Sequence, residues 1–175
     1  LYCASGTTKL NTANWVITNN ATASTLAFYD LTIATTPSAS PTASFYIRGA
    51  LTATGNFVAT GGTVTLPSSY TPSIASSAGT LTFYSLEVLG TATSARSFSV
   101  TTTLTVNGSF NPTAGTVITG GGASSTVTGT GTIYVSTNSV AIGTQYTNFL
   151  GGITTSTNTI EYSGTNQILT NQVYK

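Results

Sequence analysis

The chain of 175 residues has no histidine, no methionine and a single cysteine. Its charged side chains number seven: Lys9, Asp30, Arg48, Glu87, Arg96, Glu161 and Lys175. They make up 4% of the sequence, where an ordinary domain carries about 25%. Without histidine, every His-dependent nucleophilic triad and most zinc sites are excluded. Calcium sites take about six to eight oxygen ligands, commonly from several carboxylates, and no DxDxDG or GGxGxD segment occurs. The glycines at 120–122 are not followed by the Lys-Ser/Thr of a phosphate loop. A two-carboxylate glycosidase needs its acids about 5–10 Å apart. Asp30 and Glu87 fall at nearby positions of two similar segments, so stacking could bring them together. The ordinary reading is that each is solvated or paired with Arg48 or Arg96. No catalytic residue, metal ligand or cofactor is expected.

The lone Cys3 excludes an intrachain disulfide. It is either an intermolecular or lipid-bearing thiol, or a buried thiol near a terminus; Leu1 and Tyr2 are too large for a lipoprotein cleavage site. No run of 18 or more apolar residues exists, so no membrane-spanning helix is expected. A net charge of +1 spread over isolated residues cannot form a phosphate-binding surface, which excludes nucleic acid as a partner. Strong helix formers never cluster, and helix signals are nearly absent.

What the chain does have is hydroxyl groups, β-branched residues and aromatics. About a third of it is Ser or Thr, beside nine Tyr and seven Phe. Disordered chains are poor in aromatic and β-branched residues, so a folded chain is expected. Short alternating runs read as strands: Leu26 and Phe28, Leu31 and Ile33, Leu81 and Phe83, Leu86 and Val88, Leu104 and Val106, Ile133 and Val135, Ile160 and Tyr162. Gly, Pro, Asn and Ser punctuate them, and the Ser-rich stretches 38–44 and 68–77 read as inserted loops.

The chain also repeats itself. Residues 25–33, TLAFYDLTI, return at 80–88 as TLTFYSLEV; residues 50–66, ALTATGNFVATGGTVTL, return at 103–119 as TLTVNGSFNPTAGTVIT. A long period with strand-like contents indicates units that bury their apolar faces against one another. One all-β domain over 1–175 is expected, with units near 25–79 and 80–134. Residues 158–175 restart the phase of 7–24, since TANWVITN at 12–19 aligns with GTNQILTN at 164–171. The sequence therefore opens and closes in one phase. It is either a segment of a longer repetitive protein or a unit completed by its neighbour, with Leu1, Tyr2, Cys3, Val173, Tyr174 and Lys175 as the junction.

FYDLTI, FYSLEV, LTVNGSF, VTGTGTIYV with QYTNF, and IEYSGTNQ resemble the FYNLTI and LTVNG repeat units of very long bacterial cell-surface proteins. That resemblance implies a β-solenoid adhesin or stalk located outside the cell. From the strand signals themselves, a parallel β-helix is favoured by the recurrent Gly of LTVNGSF…GTV. A β-sandwich or jelly roll with strand exchange between subunits is the alternative.

The function expected is therefore that of an extracellular structural protein, joined head to tail with copies of itself through strand edges. The alternative is a carbohydrate-binding adhesin module using exposed aromatics such as Tyr46 and Tyr70. Of the Phe28–Tyr29 and Phe83–Tyr84 pairs, at least one ring each is expected in the core, and Trp15 is expected to bury. Asn20 and Asn107 lie in N-x-S/T sequons, and glycans would solubilise a surface so poor in charge. The TVT, TLT and TGT triplets could form threonine ladders of the kind that match ice, but threonine is a common outward strand residue.

Overall fold

A computed structural model describes residues 5–10, 17, 26–34, 38–75, 78–112, 118–120, 126–135 and 159–162. These contain seventeen strands and no helix: β1 (Thr7–Leu10), β2 (Ala27–Phe28), β3 (Asp30–Ile33), β4 (Ser38–Ala39), β5 (Phe45–Ile47), β6 (Ala50–Ala53), β7 (Asn56–Val58), β8 (Thr63–Leu66), β9 (Ser73–Ile74), β10 (Leu81–Val88), β11 (Thr91–Ser94), β12 (Phe98–Val106), β13 (Ser109–Pro112), β14 (Ile118–Gly120), β15 (Thr126–Thr128), β16 (Thr132–Val135) and β17 (Thr159–Tyr162). Every pairing among them is parallel. The chain is a parallel β-solenoid in which about five turns show a strand on every face, within a stack eight strands deep along one sheet. The antiparallel pairing of a sandwich does not occur among the described residues.

A complete coil carries three short strands, one on each of three faces. The eight-stranded sheet β1-β3-β6-β9-β11-β13-β16-β17 forms one face. The nine-stranded sheet forms the other two, because β10 and β12 run through the corner between them. The register between β10 and β12 shifts there, between Phe83 and Ser85. On one side of that bend, β4, β7, the first half of β10, the first half of β12 and β14 stack in turn. On the other side stack β2, β5, β8, the second half of β10, the second half of β12 and β15. Partners one coil apart are separated by 17 residues, as for Phe83 and Val100, up to 27, as for Ile133 and Ile160.

Short strands suffice because inward side chains meet their counterparts on the next coil. Leu31 stacks on Leu51 and that on Ile74; Val64, Leu86 and Leu104 form a second ladder; Leu66, Val88 and Val106 continue it. All nine are at most 2% exposed. An aromatic spine runs beside them. Phe28 meets Phe45 edge-on at 5.5 Å, and Phe45 meets Phe57 at 6.3 Å. Phe57–Phe83, Phe83–Phe98 and Phe98–Phe110 follow at 5.5, 5.4 and 6.0 Å. Each buried ring contributes about 2–3 kcal/mol of apolar transfer, and a favourable ring pair adds about 0.5–1.5 kcal/mol. Of the Phe–Tyr pairs, Phe28 and Phe83 are core while Tyr29 is half-buried and Tyr84 is exposed.

The stretches 38–44 and 68–77 are not wholly loops. Each contains a two-residue strand, β4 and β9, that fills its place in the stack. Two residues are enough because backbone N–H groups on both flanks also bond to adjacent coils, as from Ala75 to Leu51 O at 2.9 Å and from Thr42 to Ile17 O at 3.1 Å.

Candidate functional site

The corner leading into the eight-stranded sheet is built on a column of glycines. Gly49, Gly90, Gly108 and Gly131 each precede a strand of that sheet. A Cβ on Gly108 would collide with the carbonyl of Gly90, and one on Gly131 with that of Gly108. These contacts are between backbones, so no rotamer relieves them. The amides that follow use the close approach: Ser109 N–H donates to Gly90 O and Thr132 N–H to Gly108 O, both at 2.9 Å.

Two coils depart from this column. In one, Tyr29 is the single residue between β2 and β3; in the other, the six residues 67–72 link β8 to β9. Arg48 and Gly49 make the corner of the coil between them. The departure at Tyr29 is accommodated by Asp30, whose Oδ1 lies where a Gly49 side chain would begin. That oxygen accepts the Ala50 N–H at 2.7 Å, and Oδ2 accepts the Thr7 hydroxyl at 3.4 Å.

The longer link carries Tyr70 back across two coils. Its ring meets Tyr29 edge-on, with centroids 6.3 Å apart and planes at 85°. The Arg48 guanidinium carbon lies 5.3 Å from the centroid of the same ring. Between them is a cleft of about 340 Å3, lined by Tyr29, Arg48, Ser68, Ser69, Tyr70 and Thr71. Among these, Arg48 is the only charged side chain.

A second surface lies outside β5, β8, β10 and β12. The triplets Thr63–Thr65, Thr103–Thr105 and Thr126–Thr128 fall into register, with Ser85, Leu86 and Glu87 in the same rows. Scattered in sequence, they are aligned by coils of unequal length. The rows are not a uniform hydroxyl lattice. Tyr46 stands opposite Thr65, Thr65 is only 5% exposed, and its hydroxyl donates to Glu87 Oε2 at 3.0 Å. Thr105 and Thr128 share a hydrogen bond of 3.2 Å. The rows bound a shallow hollow of about 470 Å3.

Asp30 and Glu87 do not meet. Glu87 is in line with Thr65, Tyr46 and Ala27, three coils from the level of β2. At the strand spacing this is about 14 Å along the stack, beyond the reach of a two-carboxylate mechanism. Arg96 works elsewhere. At the corner between β11 and β12 it donates from Nη1 to Ala53 O at 2.9 Å, from Nη2 to Gly79 O, and from Nε to Ser97 O at 3.3 Å. Ser94, fully buried, returns its hydroxyl to Arg96 O at 2.8 Å. Burial lowers the pKa of the Arg96 guanidinium below its ordinary value.

Of the residues the sequence singled out, Asn107 is exposed at a glycine corner. Asn20, Trp15, Leu1, Tyr2, Cys3, Val173, Tyr174 and Lys175 lie outside the described residues. Tyr46 and Tyr70 are both half-buried but on different faces, so they do not share a platform. The Tyr29–Arg48 side of the cleft was missed by sequence reasoning. The available signal was the absence of glycine at Tyr29 where Gly49, Gly90, Gly108 and Gly131 recur before Ala, Thr or Ser. Among the described residues no group of three His, Cys, Asp or Glu could hold a metal, and no helix is long and apolar enough to cross a membrane. In comparisons with known proteins, the chain matches no family model, no curated protein and no solved structure.

Proposed function

We propose that this chain is a structural segment of a cell-surface filament or stalk outside the cell, joined end to end with like units through strand edges. The observation that carries this reading is the uniform parallel stack with one continuous core along one axis. A solenoid of this kind grows by adding coils, and its stability is the sum of coil and coil–coil terms. An additional coil finds the same ladder of apolar residues and the same open backbone edge as the one before it. A charge-poor, hydroxyl-rich exterior adds no repulsion between units and suits a protein that associates with itself. Glycans at Asn107, exposed on a corner, would keep such a surface solvated without charge.

Electron microscopy of the purified chain at about micromolar concentration tests the assembly. From β1 to β17 the stack spans seven strand intervals, about 34 Å. Fibres with a regular axial repeat of at least that length support joining of like units. Discrete particles of single-chain size at every concentration reject self-assembly and leave only a segment whose neighbours lie in another chain.

A further inference from the structure

We propose that the hollow between Tyr46 and Glu87 binds an amino sugar, a hexosamine unit of a polysaccharide with its nitrogen protonated. The proposal goes beyond the structural role and does not depend on it, since a monomeric solenoid presents the same hollow. Glu87 stands in an outward row with Thr65, Thr105 and Thr128, and the other copy of its segment has Thr32 at this position. Thr65 points outward too, yet it is only 5% exposed, flanked by Tyr46 on one neighbouring coil and Glu87 on the other. It forms a floor between two walls that stand two strand intervals apart, about 10 Å. The Thr65 hydroxyl holds Glu87 Oε2 at 3.0 Å, which orients the carboxylate. Oε1 has no partner among the described residues and is open to solvent. Glu87 is the only charged side chain lining the hollow.

The arrangement selects among cations. A calcium ion takes about six to eight oxygen ligands, commonly from several carboxylates, and here there is one. A guanidinium presents a planar fork that takes both oxygens of a carboxylate, but Oε2 already serves Thr65. An ammonium is a compact charge with rotatable donors, matched to one open oxygen and the hydroxyls around it. In a lysine side chain only methylenes follow that charge, so Thr63 and Ser85 would lose water and gain no partner. An amino sugar carries hydroxyls beside its nitrogen and an apolar C–H face on its ring. The hydroxyls can reach Thr63 and Ser85, which line the hollow. The C–H face can rest on Tyr46, half-buried at the opposite wall, the amphipathic contact for which tyrosine is suited. The ammonium therefore belongs at Glu87, and the pyranose ring belongs toward Tyr46.

Isothermal calorimetry on the whole chain with a glucosamine tetramer, at about pH 6 where amines keep their protons, tests this. The N-acetylglucosamine tetramer offers the same ring without the charge, and tetralysine offers the charge without the ring. A net charge of +1 draws no polycation to the chain at large, so binding that weakens as salt is raised reports a local carboxylate. The expected result is saturable, salt-sensitive binding of the glucosamine tetramer, with both comparison ligands at least about fivefold weaker. Glu87→Gln keeps an oxygen for Thr65; it should weaken binding about tenfold or more and erase the preference over the acetylated tetramer. Thr93→Ala, on the eight-stranded sheet, should leave binding unchanged. If Glu87→Gln fails to fold by circular dichroism, Tyr46→Ala takes its place and should weaken binding about fivefold. No saturable binding up to about 10 mM overturns the proposal. So does equal or tighter binding of either comparison ligand, or binding that neither Glu87→Gln nor Tyr46→Ala alters.

Discussion

At the scale of single residues, the fold is held by groups that stand where nothing else fits. Gly108 is one: a methyl group there meets the Gly90 carbonyl, and both atoms belong to backbone fixed by adjacent coils. Gly108→Ala should therefore destabilise the chain by about 1–3 kcal/mol, as overpacking does, measured by denaturant titration. Gly6 makes the contrast. Its φ is +83° but no atom lies within 4 Å of a Cβ placed there, so Gly6→Ala costs only the left-handed conformation, about 1–2 kcal/mol. Arg96 is held for a different reason. It donates to carbonyls of residues 53, 79 and 97, tying the ends of successive strands together. Arg96→Ala removes these donors, leaving Ala53 O with the Gly79 N–H, and should cost about 1–3 kcal/mol. Arg96→Lys, with one point of charge and no fork, should recover only part of that.

At the scale of strands and coils, much was legible in the sequence, because inward positions must be apolar and alternate. Leu31 and Ile33, Leu86 and Val88, and Leu104 and Val106 are strand residues and core residues as the alternation predicts. The repeat was legible too, but not its relation to the coil. The FYDLTI and FYSLEV copies fall on different faces: Leu31 and Ile33 on the eight-stranded sheet, Leu86 and Val88 on the nine-stranded one. From β3 to the second half of β10 the chain passes through eight successive face positions, while a coil closes in three. The same count separates β6 from the second half of β12. Each sequence copy is thus displaced by one face, which works because every face asks for the same inward pattern. For that reason register between coils, and with it the meeting of Tyr29, Arg48 and Tyr70, could not be read from the repeat. The shared inward pattern also predicts how damage spreads. Phe83 touches Phe57 on one side and Phe98 on the other. Phe83→Ala should cost about 3–5 kcal/mol and weaken the coupling between the coils on either side. In a one-dimensional stack this should divide one unfolding transition into two, seen as hydrogen exchange protection lost first on one side of β10. A single cooperative loss across all strands would contradict the nearest-neighbour picture.

At the scale of the whole molecule, the scarcity of charge determines how the solenoid responds to its surroundings. Stability changes with pH only where folded and unfolded states bind different numbers of protons. Histidine is the side chain that ordinarily titrates between about pH 5 and 8, and the chain has none. Among the described residues, burial lowers the pKa of the Arg96 guanidinium. The sign matters: a base whose folded pKa lies below its unfolded value favours folding more as it loses its proton, so raising the pH through its titration can only add stability. Arginine ordinarily keeps its proton throughout the range in which proteins are handled. Salt has as little to act on, since screening affects pairs of exposed charges, and the strand ladders and aromatic spine are uncharged. The far-ultraviolet circular dichroism spectrum and the thermal midpoint should therefore stay constant from about pH 5 to 9, and from low salt to about 1 M sodium chloride. A midpoint that falls sharply within either range would mean that charged groups outside the described residues carry a share of the stability that the parallel stack does not.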